Sequence, residues 1–197
     1  MESETPVKAA VIYYSAGGTV HALARAAAEG AQKAGAEVRL RRVPETVREA
    51  AAEGRPEPDR HGGGSADVPE AAAGDLDWAD VVLFGTPTRL GTMSAPVKAF
   101  IETTGPLGSA GGLADKVYSA FTSSGTAHGP SGAGLLALVN VFCHWGGVIV
   151  PPGCPDPAPD GPGDGPAGDV ALEAARYQAW RAVTTAAALA ARRSYPV

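Results

Sequence analysis

Residues 13–20, Tyr-Tyr-Ser-Ala-Gly-Gly-Thr-Val, have the types and spacing to hold a phosphate. They join an apolar run, Ala9 to Tyr14, that reads as a buried strand to a pattern, His21 to Ala34, that reads as a helix. A small-residue loop entering a helix points backbone N–H groups at whatever lies above it, and the helix N-terminus adds a positive partial charge. Gly17 and Gly18 permit left-handed backbone and close ligand approach, while Ser15 and Thr19 add hydroxyl donors beside Ala16 and Val20. A lone glycine loop of this kind is a weak signal, since many strand–loop–helix turns contain glycine. Two further loops agree with it. They are Gly85-Thr86-Pro87-Thr88-Arg89-Leu90-Gly91 and Thr122-Ser123-Ser124-Gly125-Thr126-Ala127-His128-Gly129, each following an apolar run.

The elements that position these loops alternate along the chain. Lys8 to Tyr14 reads as the first strand, and Gly35 ends the following helix where left-handed backbone is often needed. Glu37 to Val43 alternates charged and apolar residues, as a strand covered on one side does. Its arginines 39, 41 and 42 read as a solvated face. Pro44 to Ala52 begins a short helix, and Gly54 to Gly74 is a polar Gly/Pro-rich loop, expected to be mobile. Asp75 to Asp80 leads into the strand Val81 to Gly85. Ser94 to Thr104 is a helix with Ser94 as N-cap and Pro96 early in it. Lys116 to Phe121 is a strand, Gly132 to Phe142 an apolar helix, and Gly147 to Val150 a short buried strand. Pro151 to Gly168 is too rich in Pro and Gly for regular structure, and Val170 to Arg193 is a long terminal helix. Five strands alternating with helices predict an α/β domain, residues 1–197, with a doubly wound parallel sheet covered on both faces. In such sheets ligands bind outside the carboxyl ends of the strands, where the strand order reverses, so the three loops converge on one crevice.

Composition excludes several classes. A formal charge of −5, with no basic run, argues against a nucleic-acid surface. No apolar run approaches the roughly 20 residues that span a bilayer. The acidic N-terminus has no signal-peptide pattern, so a cytoplasmic place is expected. Cys143 and Cys154 form no disulfide framework and no metal-ligand spacing, and Cys143 is expected to be a small buried hydrophobe. The abundance of alanine, glycine and proline reads as compositional bias.

The chain resembles the WrbA-type NAD(P)H:quinone oxidoreductases, FMN enzymes of the flavodoxin-like superfamily. The matching stretches are Tyr13-Tyr14-Ser15, Arg42-Val43-Pro44-Glu45-Thr46, Gly85-Thr86-Pro87-Thr88-Arg89, Gly91 with Met93-Ser94, and Ser123 with Gly125-Thr126. His144 followed by Gly146 and Val148-Ile149-Val150-Pro151 also matches, as does Ala175-Arg176-Tyr177-Gln178. The resemblance implies a flavodoxin-like five-stranded sheet with noncovalently bound FMN. Ser15, Ala16, Gly17, Gly18, Thr19 and Val20 would hold its phosphate. Pro87, Thr88, Arg89, Leu90 and Gly91 would line the isoalloxazine ring, and Ser123, Ser124, Gly125, Thr126, Ala127 and His128 the ring and ribityl chain. His144 would face the ring region and, with Arg89, carry the catalytic assignment. NADH or NADPH would be the donor and a quinone or related aromatic compound the acceptor, with the chain assembled as a homodimer or homotetramer.

Blander roles stand beside these. His144 could be a helix-end histidine and Arg89 a surface arginine in a turn. His128 either faces solvent or caps the site. His21 is expected to be exposed on its helix, and Trp78 and Trp145 to be packing residues. The chain also departs from the family. Gly17 stands where related enzymes have a tyrosine, and Gly108 where they have a tryptophan, two aromatics that frame the substrate pocket. The Gly-Gly-x-Pro-Tyr-Gly element that follows the last strand in related enzymes is replaced by the unrelated residues 155–168. The widened pocket points to a larger planar acceptor. A flavodoxin-like carrier serving a protein partner is the alternative, but the acidic residues are spread along the chain where a carrier concentrates them. A scaffold that has lost FMN is opposed by the intact loops.

Overall fold

The computed structural model describes residues 5–45, 67–124, 131–153 and 168–190. Its parallel sheet runs in the order β2-β1-β3-β5-β6. Here β1 is Lys8–Tyr13, β2 Glu37–Arg42, β3 Val81–Arg89, β5 Val117–Ser124 and β6 Val148–Ile149. A two-residue β4, Thr92–Met93, folds back antiparallel on the end of β3. The order reverses between β1 and β3, which places the switch point at their carboxyl ends, as a doubly wound sheet requires.

Successive side chains of β1 point to opposite faces and build two cores. Ala9, Val11 and Tyr13 pack with α1 (Thr19–Lys33) and α6 (Asp169–Ala190). Ala10, Ile12 and Tyr14 pack with the layer of α2 (Ala73–Trp78), α3 (Ala95–Glu102) and α5 (Ser131–His144). A short α4, Gly105–Ser109, buries no residue. The alanine content has a structural use here. Ala24, Ala27, Ala28 and Ala31 of α1 meet Ala175, Ala179, Ala182 and Ala186 of α6, and small side chains let two helix backbones approach closely.

Local chemistry sets the boundaries. Gly35 has φ +87° and ends α1, with its N–H on the Gln32 carbonyl and the Ala36 N–H on the Ala31 carbonyl. That is a Schellman closure. The third strand runs on to Arg89, past its expected end at Gly85, because β5 continues beside it to the Thr88–Ser124 pair. Pro87 is tolerated because its missing N–H faces the side where β1 has already stopped, at the Tyr13–Gly85 pair. Ser94 occupies the N-cap position of α3 but makes no capping bond. Its hydroxyl and its N–H instead engage Thr86 Oγ1, each at 3.0 Å, and this fixes the start of α3 to β3.

Further expectations are corrected. Residues 73–78 form α2 rather than loop or strand lead-in. The arginines of β2 are paired rather than simply solvated. Arg39 and Arg41, two apart on one face, converge on the buried Asp75 at 3.3 and 3.0 Å, and Arg42 bonds Glu70 at 2.8 Å. Cys143 is exposed rather than buried. Trp145 packs against Phe84, Tyr118 and Phe142, as expected of a packing residue. Trp78 lies under the Arg39 guanidinium, 3.9 Å from its ring centroid. The helix expected over 44–52 falls almost wholly outside the described residues, as do residues 54–66 and 154–167 of the two expected loops.

Gln178 ties α6 to the sheet. Its buried amide donates to Ser119 Oγ at 2.7 Å and to the Ala120 carbonyl at 2.8 Å, while Ser119 donates to the Val150 carbonyl at 2.6 Å. Gln178→Leu strands buried acceptors and is expected to cost about 2 kcal/mol, read as a lower urea midpoint at unchanged m-value.

Candidate functional site

Loops one and two emerge side by side at the switch point. The Tyr14 N–H donates to the Gly85 carbonyl at 3.0 Å, so the chain leaves β1 in contact with β3. Ser15 Oγ then accepts the Gly18 N–H at 3.0 Å and closes a tight turn. Gly18 is the N-cap residue of α1 at φ +85°, and among the described residues no side chain caps the helix. The first intrahelical bond is made by Ala22 to the Gly18 carbonyl. The N–H groups of Thr19, Val20 and His21 therefore precede the helical ladder, as at any helix start, and the helix dipole adds to them. Among the described residues, a Cβ on Gly17 would meet nothing within 4 Å. Val20 is buried in the core.

The second loop is a hairpin tip between β3 and β4. Arg89 pairs with Thr92, and the two central residues, Leu90 and Gly91, have φ +49° and +79°. Positive φ at both centres is the mark of a type I′ turn, which Gly91 suits and Leu90 adopts at a cost of about 1–2 kcal/mol. The Leu90 side chain is fully exposed. Beneath the tip, Thr122 donates to the Thr86 carbonyl at 2.7 Å and stands 2.8 Å from Thr88 Oγ1. With its one hydrogen so used, Thr122 accepts from Thr88, and the chain of hydroxyls locks the second loop to the third strand end. Helix α5 begins against the same point. A Cβ on Gly134 would fall 2.5 Å from Thr88 Oγ1.

Ser123 and Ser124 close β5 beside Pro87 and Thr88. Gly125, Thr126, Ala127 and His128 lie outside the described residues. His144 is not brought to the loops within one chain. It ends α5, which leaves the loop side and returns to the start of β5, where the Gly146 carbonyl accepts the Asp115 N–H. An eight-residue strand separates that end from the loops, roughly 25 Å. Gly108 is also at that end, 3.5 Å by its Cβ position from Leu113, whose carbonyl holds Tyr118. A separate groove of about 360 Å³ lies between α1 and β2, lined by His21, Arg25, Glu29, Val38, Leu40 and Val68 among others, and its described lining residues come from none of the three loops.

His21 departs from expectation: it is buried, and its Nδ1 lies 2.6 Å from the Tyr13 hydroxyl. Burial pushes the phenol up to about 12, opposed by Arg42 and Arg25. Burial, and then Arg25, hold the imidazole below its ordinary value of 6.5. The phenol thus keeps its proton, and we assign it as donor to Nδ1 with the ring hydrogen on Nε2. A lowered folded pKa means the unfolded chain binds more protons, so stability falls as pH drops through about 6.5. His21→Gln should flatten that part of the acid dependence, measured as urea midpoints between about pH 7 and pH 5.

The family model for NADPH-dependent FMN reductases matches residues 7–155. The chain belongs to this family. The FMN reductase match spans the sheet and all three loops and stops before α6. Curated relatives agree. The chain is 42% identical over 151 residues, 77% of its length and 76% of the relative's, to a Deinococcus radiodurans protein named NAD(P)H dehydrogenase (quinone). A Syntrophus aciditrophicus protein of the same name is 43% identical over 147 residues, covering 73% of this chain and 71% of that one. The fold is flavodoxin-like. A WrbA-like flavodoxin from Agrobacterium tumefaciens superposes with TM-score 0.66 at 23% identity, over 92% of this chain and 98% of that one. A flavodoxin from the domain Archaea gives 0.63 at 18% identity, over 92% and 99% of the two chains.

Proposed function

We propose that this FMN reductase family member is an FMN-dependent NAD(P)H oxidoreductase that passes two electrons to a quinone or related aromatic acceptor. The observation that carries the reading is the uncapped start of α1 behind Ser15–Gly18, set beside the Pro87–Gly91 hairpin tip at the switch point. The donor set fits FMN: N–H groups and hydroxyls for a dianionic phosphate on one side, a small-residue turn carrying a cation on the other. Ser15 to Val20 hold the phosphate. Pro87 to Gly91 would border the ring, with Ser123 and Ser124 at the end of β5 beside them. When bound, FMN supplies hydride exchange between the nicotinamide and the acceptor. The Arg89 guanidinium would stabilise negative charge gathered on the reduced ring. The threonine lock of Thr88 on Thr122 holds that turn still, and Gly17 leaves room for a large planar acceptor.

A nicotinamide donor supports a cytoplasmic location for the reaction. Association into a homodimer or homotetramer is part of the same proposal.

The reading is tested by NADH- or NADPH-driven reduction of a benzoquinone with FMN-loaded protein. Turnover that requires FMN is expected, and Arg89→Ala should lower kcat/KM about tenfold or more while FMN Kd moves far less. FMN uptake with no turnover from either nucleotide contradicts it.

A further inference from the structure

The buried Tyr13–His21 pair has no part in the roles assigned above, yet it joins the two ends of the phosphate loop. Tyr13 is the last residue of β1 and His21 stands in the first turn of α1. Their 2.6 Å bond therefore spans the whole turn from Tyr14 to Val20. Inside that span, the Ser15–Gly18 bond and the left-handed Gly18 set the curvature of the loop. The outer bond sets where the helix start stands relative to the strand end. Both rings are in contact, with centroids 5.4 Å apart and planes tilted by 47°.

We propose that His21 and Tyr13 are positioning residues that clamp the phosphate loop closed and thereby set the affinity for the phosphate of the flavin nucleotide. This rests on the flavin reading above. The clamp works by geometry and not by charge. The phenol and imidazole are both neutral near pH 7, and the nearby cations, Arg25 on α1 and Arg42 on β2, oppose any further positive charge on the pair. Glu29 and Asp67, which line the neighbouring groove with Arg25, supply the opposite sign on the outer side of α1. Without the clamp, the N–H groups of the first helical turn converge less well on the three phosphate oxygens, while groups that meet the ring on the second and third loops are untouched.

That separation gives a readout that general destabilisation does not move: the ratio of FMN to riboflavin affinity, since riboflavin lacks the phosphate. Flavin fluorescence titrations would compare the wild type with Tyr13→Phe, His21→Leu, the double variant and His21→Gln. Tyr13→Phe removes a single oxygen and keeps the core filled, so it stays informative should His21→Leu fail to fold. Each single variant is expected to raise FMN Kd about tenfold with riboflavin Kd unchanged, the double variant to be no worse than either, and His21→Gln to restore most of the loss, because its amide oxygen accepts from the phenol. FMN affinities unchanged in Tyr13→Phe and His21→Leu, in a protein whose wild type binds FMN far better than riboflavin, overturn the clamp alone. A parallel loss of both flavins overturns it too. A wild type that binds neither flavin, or both equally, overturns the phosphate site and the clamp with it.

Discussion

Gly18→Val is expected to weaken FMN binding about a hundredfold while the sheet stays folded. Gly18 has φ +85° and its N–H is held by Ser15 Oγ. A β-branched residue is strained at that φ, by about 1–2 kcal/mol for an ordinary side chain and more for valine. The backbone escapes the strain only by rotating, and rotation turns the Gly18 N–H away from Ser15 and reorients the first N–H groups of α1. Gly18→Asn is the graded control, since asparagine tolerates left-handed backbone, and its loss should be several-fold at most. Isothermal titration with FMN reads both. Equal affinities for valine and asparagine variants would show that the left-handed residue does not shape the cradle.

Gly30→Ala is expected to destabilise the protein by about 3 kcal/mol, although alanine is the better helix former. A Cβ at Gly30 would lie 2.1 Å from the Arg176 carbonyl oxygen and 2.7 Å from its carbonyl carbon. Both parties are helix backbone, so neither can rotate aside as a side chain would. The propensity gain of about 1 kcal/mol is outweighed because α1 and α6 must separate, and their alanine faces then lose contact along their length. Gly74→Ala is the control within α2: its Cβ would meet nothing within 4 Å, so it should be neutral or gain up to about 1 kcal/mol. Thermal or urea unfolding of the two variants should differ in sign.

The parallel sheet was legible because its central strands are continuous apolar runs, Ala9 to Tyr14 and Val81 to Phe84, which sheets covered on both faces demand. The glycine loop and the Gly91 turn were legible for the same local reason: both use backbone that favours glycine. Other features depend on partners distant in sequence. The pairing of Arg41 with Asp75 bridges 34 positions, and nothing in an alternating strand announces it. The burial of His21 depends on the loop doubling back to Tyr13. Cys143 misled because α5 is apolar on nearly every side, so periodicity marks no buried stripe, and Leu136 and Cys143 fall outward. Within one chain His144 lies at the strand end opposite the loops, because α5 runs from the loop side back to the start of β5. A helix of 14 residues carries it the length of the sheet away from the loops, roughly 25 Å.

In the function proposed above, FMN sits between the first and second loops and is reduced by a nicotinamide nucleotide. Anaerobic mixing of the FMN-loaded protein with NADH or NADPH, followed at the flavin's visible absorption band, tests it most directly. Rapid bleaching by at least one nucleotide is expected, with recovery of colour on adding a quinone and slower bleaching in Arg89→Ala. Tightly bound FMN that neither nucleotide bleaches would contradict it.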